Sequence, residues 1–415
     1  MKDYVLKIKK NETFAINIKD AKTIYNFSGV SKQIIDNIDK SEKEILKMLI
    51  DKYYTTPIEK IKSDYYDFIK CLNSLNINSS NFENIILIKD EYSLKNVSIE
   101  ILNSCSFNCD HCYISDKKNY MNLEIYKKII NELVELGCDE LLITGGEPML
   151  HNNFIDMYLY AKKMGLIVTI NSNISLLNEN ILKVLCDYKP NVIEISLYGF
   201  DNNSYFEFTH FSNGYTVVDN NIKKLIKNNI NINFKTVLTK KSKDYIFKIK
   251  EYAKKLKVPF RYDYVIFPTL DNISVNLQRC EPDEIIKILK EDKDATILYK
   301  HKIENINKKN NYGNHIFQCE IGINRMFISS NLDLRPCLVV PFKCNYKTYS
   351  IKDAYFKFEK IVRNCKFKSD TQCKKCYEKT ICRYCPGRFY MENGSFENPP
   401  KFYCDLADKI IKEFS

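Results

Sequence analysis

From Val97 to Ile266, short apolar runs alternate with longer stretches in which apolar side chains recur every three or four positions. The runs Val97 to Leu102, Glu140 to Thr144, Ile167 to Asn171, Val192 to Leu197, Ile232 to Leu238 and Pro259 to Ile266 read as strands. Between them, Leu123 to Leu136, Phe154 to Met164, Glu179 to Cys186, Thr216 to Lys227 and Lys243 to Lys255 carry the helical period. About six strand–helix units in succession predict an α/β fold, because each helical crossover returns the next strand parallel to the last. In closed or partly closed sheets of this kind, reactive groups gather at the C-terminal strand ends.

The segment before this series has a different rhythm. Two strand-like runs, Val5 to Ile8 and Thr13 to Ile18, precede helical patterns at Lys32 to Ile38, Glu42 to Tyr53 and Ser63 to Leu75. Ile45, Leu46, Leu49 and Ile50 fall on one face of the second helix, and Tyr65, Phe68, Ile69 and Leu72 on one face of the third. Ser41 with Glu44 has the spacing of a capping box. Asn76 to Glu91 begins polar and reads as a linker ending in a short strand. A module over 1–85, a run of strand–helix units over 95–305 and a tail over 315–415 are therefore expected.

Composition narrows the chemistry. The chain has 415 residues, 45% hydrophobic and 28% charged, enough for several cored domains. No window approaches the ~20 apolar residues of a membrane-spanning helix. Met1 to Lys7 lacks a signal-type apolar core, so the expectation is a cytoplasmic protein. The net charge of +11 is scattered among Asn and Ile rather than blocked, which reads as solvated surface and not as a nucleic-acid footprint. Sixteen cysteines in a reducing compartment point to metal ligation more than to disulfides. Cys71, Cys138, Cys186 and Cys280 sit apart from the others in helical, linking or interior patterns and read as small hydrophobes.

Cys105, Cys109 and Cys112 follow the strand-like run Val97 to Leu102 with three and then two residues between them. Three thiolates can hold three irons of a cubic [4Fe–4S] cluster and leave the fourth iron open to a ligand. A structural zinc site would instead want four ligands, usually from CxxC pairs. Gly145-Gly146-Glu147-Pro148 comes directly after the second strand, where glycines permit close backbone approach. The tail is denser in cysteine: Cys319, Cys337, Cys344, Cys365, Cys373, Cys376, Cys382, Cys385 and Cys404. Its Cys373-x2-Cys376-x5-Cys382-x2-Cys385 block lacks the 15–20-residue separation of CxxC pairs in a zinc ribbon.

The CxxxCxxC spacing and the Gly-Gly-Glu-Pro turn resemble the radical S-adenosylmethionine (SAM) enzymes, and the tail resembles their SPASM extension. That resemblance implies a partial (β/α)6 TIM-like barrel. Its cluster on Cys105, Cys109 and Cys112 would be completed by SAM and would cleave SAM to a 5′-deoxyadenosyl radical. By the same resemblance Tyr113 would lie near the adenine. Gly145, Gly146, Glu147 and Pro148 would hold the methionine moiety, and Asn171, Ser172 and Ser196 the ribose and carboxylate. Asp110 and His111 fit either a supporting or a solvated loop role. Cys373, Cys376, Cys382 and Cys404 would hold a distal auxiliary [4Fe–4S] cluster. Cys319, Cys337 and Cys385 would hold a proximal one, closed by Cys344, by Cys365 or by no residue. Two departures stand out: CxxC where the pattern has CxxxC, and Leu332 where it has glycine.

The N-terminal module is similar to the winged-helix peptide-recognition element of enzymes that mature ribosomally made peptides. The implied function is a maturase acting on a leader-bearing precursor, most simply forming a thioether, with a flavodoxin- or ferredoxin-type electron donor. Carbon–carbon or carbon–oxygen crosslinking and sulfatase-maturing oxidation of one Cys or Ser are the neighbouring enzyme classes. A zinc-binding, DNA-binding winged helix is the alternative outside enzymes.

Overall fold

The computed structural model describes residues 2–20, 23–88, 92–114, 118–266, 268, 278–306, 314–368 and 370–415. The end of the predicted linker, Lys89 to Glu91, lies outside them. In the N-terminal module, strands β1 (Tyr4–Ile8), β2 (Glu12–Asn17) and β3 (Ile24–Ser28) lead into helices α1 (Gly29–Ile35), α2 (Glu42–Lys52) and α3 (Ile58–Ser74), then β4 (Phe82–Leu87). The sheet order is β3-β2-β1-β4, with β4 parallel to β1 and the other pairs antiparallel. Leu6, Ala15, Phe27, Leu72 and Phe82 form its core. The capping box is present: Ser41 caps α2 and Glu44 reaches back to the Ser41 amide. Pro57 at the start of α3 sets the helix going at Ile58, before the predicted start at Ser63.

The barrel follows as β5 (Asn96–Glu100), α4 (Leu123–Glu135), β6 (Glu140–Thr144), α5 (Phe154–Lys163), β7 (Ile167–Ser172), α6 (Glu179–Asp187), β8 (Val192–Ser196), α7 (Asn202–Thr209), α8 (Gly214–Lys227), β9 (Ile232–Val237), α9 (Ile246–Leu256) and β10 (Phe260–Asp263). These six strands are mutually parallel and lie in chain order. Helix α9 begins three residues after its predicted start at Lys243. The Thr239 amide donates to Ser242 Oγ at 2.8 Å and the Ser242 amide to Thr239 Oγ1 at 3.0 Å, holding a local turn that competes with helix.

The remaining elements are α10 (Pro282–Glu291), α11 (Lys293–Glu304), β11 (Arg325–Ile328), β12 (Asp333–Arg335), β13 (Cys344–Asn345), α12 (Ile351–Asn364), α13 (Gln372–Lys375), α14 (Pro386–Asn393) and α15 (Lys401–Phe414). Strand β11 pairs parallel to β5, and β12 and β13 add antiparallel, so the barrel sheet becomes a mixed nine-stranded one. Leu332 turns the β11–β12 hairpin at φ +69°, the left-handed conformation for which glycine is the usual residue. Helices α10 and α11 pack with α15 in a second core that also takes in Leu238, Ile246 and Val265 from the end of the barrel.

Among the described residues no helix is long and apolar enough to cross a membrane. Cys138 and Cys280 are buried and Cys186 half-buried, as small hydrophobes would be. Cys71 is exposed on α3, contrary to that reading; it faces away from the apolar stripe of the helix.

Candidate active site

The loop after β5 carries Cys105, Cys109 and Cys112, and backbone contacts hold it at both ends. Asn103 accepts from the Asn119 amide at 2.7 Å through Oδ1. The Gly146 amide donates to the Leu102 carbonyl at 3.0 Å, and the Glu147 amide to the Ser104 carbonyl at 2.9 Å. A Cβ on Gly145 would stand 2.5 Å from the Leu102 oxygen, and one on Gly146 2.2 Å from the Ser104 oxygen. The glycine pair therefore lets the cysteine loop lie directly on the end of β6. Farther along, Phe107 is buried against Phe211 and Tyr205, and the Asn108 amide donates to the Thr209 carbonyl at 2.9 Å. Helix α7, which the sequence reading did not contain, thus supports the outer half of the loop.

Glu147 points inward. Its carboxylate accepts from Ser172 Oγ at 2.7 Å, the Asn173 amide at 2.7 Å and the Met149 amide at 3.0 Å. Burial nevertheless wins and pushes its pKa up to about 7, against the three donors. This carboxylate ties the end of β6 to the end of β7. Asn173 in turn donates to Cys105 Sγ at 3.6 Å through Nδ2.

A cavity of about 430 Å³ opens over this loop. Cys105, Cys109, Cys112, Tyr113, Gly145, Gly146, Asn171, Ser172 and Ser196 all line it; Glu147 and Pro148 do not. The sequence reading missed Asn103, Asn173, Lys235, Arg261, Asp263 and Arg383, which line it as well. Asn103 and Asn173 lie within three residues of the ends of β5 and β7, a position that could have marked them. Nothing local marks Arg383, which arrives from between Cys382 and Cys385. Because residues at or just past the ends of all six strands meet at one cavity, the sheet curves around it.

Charge is distributed unevenly around the rim. Arg261 pairs with Glu194 at 2.7 Å, and Arg383, at φ +54°, pairs with Asp263 at 2.7 Å. Burial brings the Lys235 ammonium down to about 8, although Glu194 pulls the other way. His111 lies among the rings of Tyr198 and Phe208, and burial lowers it to about 4, leaving a neutral imidazole. Asp110 faces outward to His210 and Lys241. Burial opposes its charge, but their hydrogen bonds outweigh that and keep its carboxyl below the ordinary range.

The C-terminal cysteines fall into two electrostatic groups. Burial raises Cys373 to about 11 and Cys382 to about 12, and each feels Cys376 and Cys404. Burial raises Cys337 to about 11, where it also feels Cys385 and Cys319. The charges acting on Cys365 are Glu397 and Lys368, not thiols. Cys344 is buried in the barrel-side core, apart from the core that Cys337, Cys373 and Cys382 share.

Among the described residues no three His, Cys, Asp or Glu side chains form a group that could hold a single metal ion. The groupings rest on a shared cavity and on mutual charge interaction. Soft thiolates in sets of three and four suit iron–sulfur clusters, and the cavity volume is in the range of small-molecule sites. The donor sets present fit such groups.

Residues 99–253 match the family described as the radical SAM superfamily. GTP 3′,8-cyclase of Synechocystis is 26% identical over 185 residues, 41% of this chain and 53% of that protein. The chain thus spans about half the length of that relative. Sporulation killing factor maturation protein SkfB of Bacillus subtilis is 26% identical over 144 residues, 34% of this chain and 35% of that protein. Streptococcus suis SuiB bound to its precursor peptide SuiA superposes with a TM-score of 0.60 at 16% identity, covering 98% of this chain and 99% of that one. At that identity the likeness is one of fold.

Proposed function

Because residues 99–253 of this chain are a radical SAM domain, the catalytic part of an enzyme, we propose that the protein matures a ribosomally made peptide. One observation carries the reading. The cysteine loop after β5, the ends of the six parallel strands and Arg383 from the C-terminal cysteine block meet at a single cavity. A fold shared over nearly the full length with SuiB, whose structure holds a precursor peptide, supports a peptide as substrate.

When bound, a cluster on Cys105, Cys109 and Cys112 supplies the electron that cleaves SAM, and clusters on the C-terminal cysteines supply an acceptor for the electron left over. The chain's own residues bind and orient. Gly145 and Gly146 place the thiols against the strand ends, and Tyr113, Asn171, Ser172 and Ser196 offer a ring and polar groups to the cofactor. Lys235 and the Arg261–Glu194 pair set the charge on the β8–β10 side. Enclosure at the strand ends excludes water and holds one C–H bond near the reacting atom.

The product we favour is an intramolecular thioether. The peptide then loses two hydrogens, one from carbon and one from the cysteine thiol. The N-terminal module takes the leader, and an external flavodoxin- or ferredoxin-type protein delivers the first electron. The test is anaerobic turnover with SAM and dithionite. Wild type forms 5′-deoxyadenosine and Cys105→Ala does not; continued formation by Cys105→Ala overturns the radical reading. Co-expression with a cysteine-bearing precursor is expected to give a product two hydrogens lighter by mass spectrometry. An unchanged mass in every accepted precursor overturns the crosslink.

A further inference from the structure

Lys235 lies on the inner face of the barrel. Its neighbour Phe234 stacks on Tyr252 of α9 outside the sheet, and strand alternation turns Lys235 the other way, into the cavity. In register it stands between Ser196 of β8 and Arg261 of β10. Among the described residues its ammonium donates no hydrogen bond and has no carboxylate oxygen within 4.0 Å. Glu194, diagonal to it on β8, is already engaged: the carboxylate accepts from Arg261 at 2.7 Å and from Asn233 Nδ2 at 3.0 Å. Glu147, the other acid that acts on Lys235, has three donors of its own.

The charges around the cavity leave cation in excess. Lys235, Arg261 and Arg383 line it, against Asp263 as the one carboxylate among the described lining residues. Arg383 takes that carboxylate at 2.7 Å, and Arg388 approaches it at 3.6 Å. Burial lowers the Lys235 ammonium to about 8, with Glu194 and Glu147 opposing and Arg261 assisting, so it is still charged at neutral pH. A half-enclosed ammonium with no contacting anion is costly, and a ligand that brings one relieves the cost. Two carboxylates could meet it, that of the SAM methionine moiety or one on the peptide. Position favours the peptide. Strand β9 is three strands from β6, roughly 14 Å along the sheet, and it is at β6 that Gly145 and Gly146 take the cysteine loop.

We propose that Lys235, with Arg261 beside it, binds the side-chain carboxylate of an Asp or Glu in the precursor, at or next to the residue whose carbon loses hydrogen. This rests on the peptide reading given above and narrows its substrate class to precursors with an acidic residue in the modified segment. A charge-assisted hydrogen bond fixes that residue more firmly than a neutral one, which selecting a single C–H bond requires.

The experiment uses the full chain, reconstituted anaerobically, and a cysteine-bearing precursor that wild type converts. Each core Asp and Glu is changed in turn to Asn or Gln, and one such change is expected to slow wild type at least about tenfold. Lys235→Met should be slowed as much on the parent precursor and no further on that amide variant, because both changes remove the same contact. SAM affinity, by equilibrium dialysis, should be unchanged. A loss of SAM affinity of about tenfold or more assigns the ammonium to the SAM carboxylate and overturns the proposal. Additive losses, a converted precursor whose core holds no acid, or acid-to-amide changes that all leave the rate alone overturn it as well. If Lys235→Met does not take up wild-type iron, Lys235→Gln is measured in its place, and failure of both marks a structural lysine and overturns the proposal. If wild type converts no precursor, the peptide reading has failed and takes this inference with it; conversion with additive losses sinks this inference alone.

Discussion

Gly146 and Glu147 are neighbours with opposite tasks. Gly146 is needed for what it lacks: any Cβ there would drive into the Ser104 carbonyl, a backbone atom that cannot swing aside. Gly146→Ala should therefore cost about 1–3 kcal/mol as overpacking. It should also weaken SAM binding at least roughly tenfold, because the cysteine loop must move. Urea unfolding and equilibrium binding check the two effects separately. Glu147 is needed for its carboxylate, which faces three donors in a site that burial makes hostile to charge. Its folded pKa of about 7 lies above its ordinary 4.5, so the protonated form favours folding. That stabilisation is complete below about pH 4.5 and is lost as pH rises through about 7. Wild type should lose of order 2–3 kcal/mol relative to Glu147→Gln between pH 5 and pH 8. Parallel pH profiles of the two proteins would refute this.

At the scale of elements, the barrel strands were legible because each is apolar, short and followed by a helix of clear period. Strand β6 coincides with its predicted bounds, Glu140–Thr144. Strand β3 was not legible, since of Ile24–Ser28 only Phe27 is buried and no alternation shows. Helix α7 is eight residues long, too short for its two buried aromatics, Tyr205 and Phe208, to establish a period. The CxxxCxxC motif named three residues that line the cavity, Cys105, Cys109 and Cys112. It could not name Lys235, Arg261 or Arg383, whose meeting depends on sheet curvature. The attachment of the module was equally hidden. Lys7 on β1 is fully buried and donates to the Cys138 carbonyl at 3.2 Å and to the Asp139 carboxylate at 3.3 Å, while Lys9 reaches Asp139 at 3.2 Å. Asp139→Asn leaves a buried ammonium without its counter-ion and should cost about 3 kcal/mol, the low end for such pairs because water reaches Asp139. Faster hydrogen exchange at β1 amides is the expected readout, with the barrel strands unchanged.

For the whole molecule, the question is what holds the C-terminal cysteine domain to the barrel. The mixed sheet does so at β5, where β11 joins it. On the opposite side a buried ion pair adds to an apolar core that Leu238, Ile246 and Val265 share with Phe389 and Tyr403. Arg279 donates to the Ile266 carbonyl beyond β10 at 2.9 Å and forks onto the Glu392 carboxylate of α14 at 2.6 and 3.0 Å. Tyr403 of α15 donates to the same carboxylate at 2.8 Å, and the guanidinium lies over Phe402. A pair this deeply buried gains little over an apolar replacement of similar size, yet losing one partner strands the other. Arg279→Met should therefore destabilise by about 3–5 kcal/mol, whereas adding Glu392→Leu to it should recover most of that loss. The cycle is measured by urea unfolding of the four proteins. If the double variant is no more stable than Arg279→Met, the pair contributes through attraction. If Arg279→Met is itself neutral, the domain is held by β11 and its core alone. Recovery in the double variant would mean that this side of the interface fixes the angle between the domains more than their affinity, and with it the placement of Arg383 in the cavity.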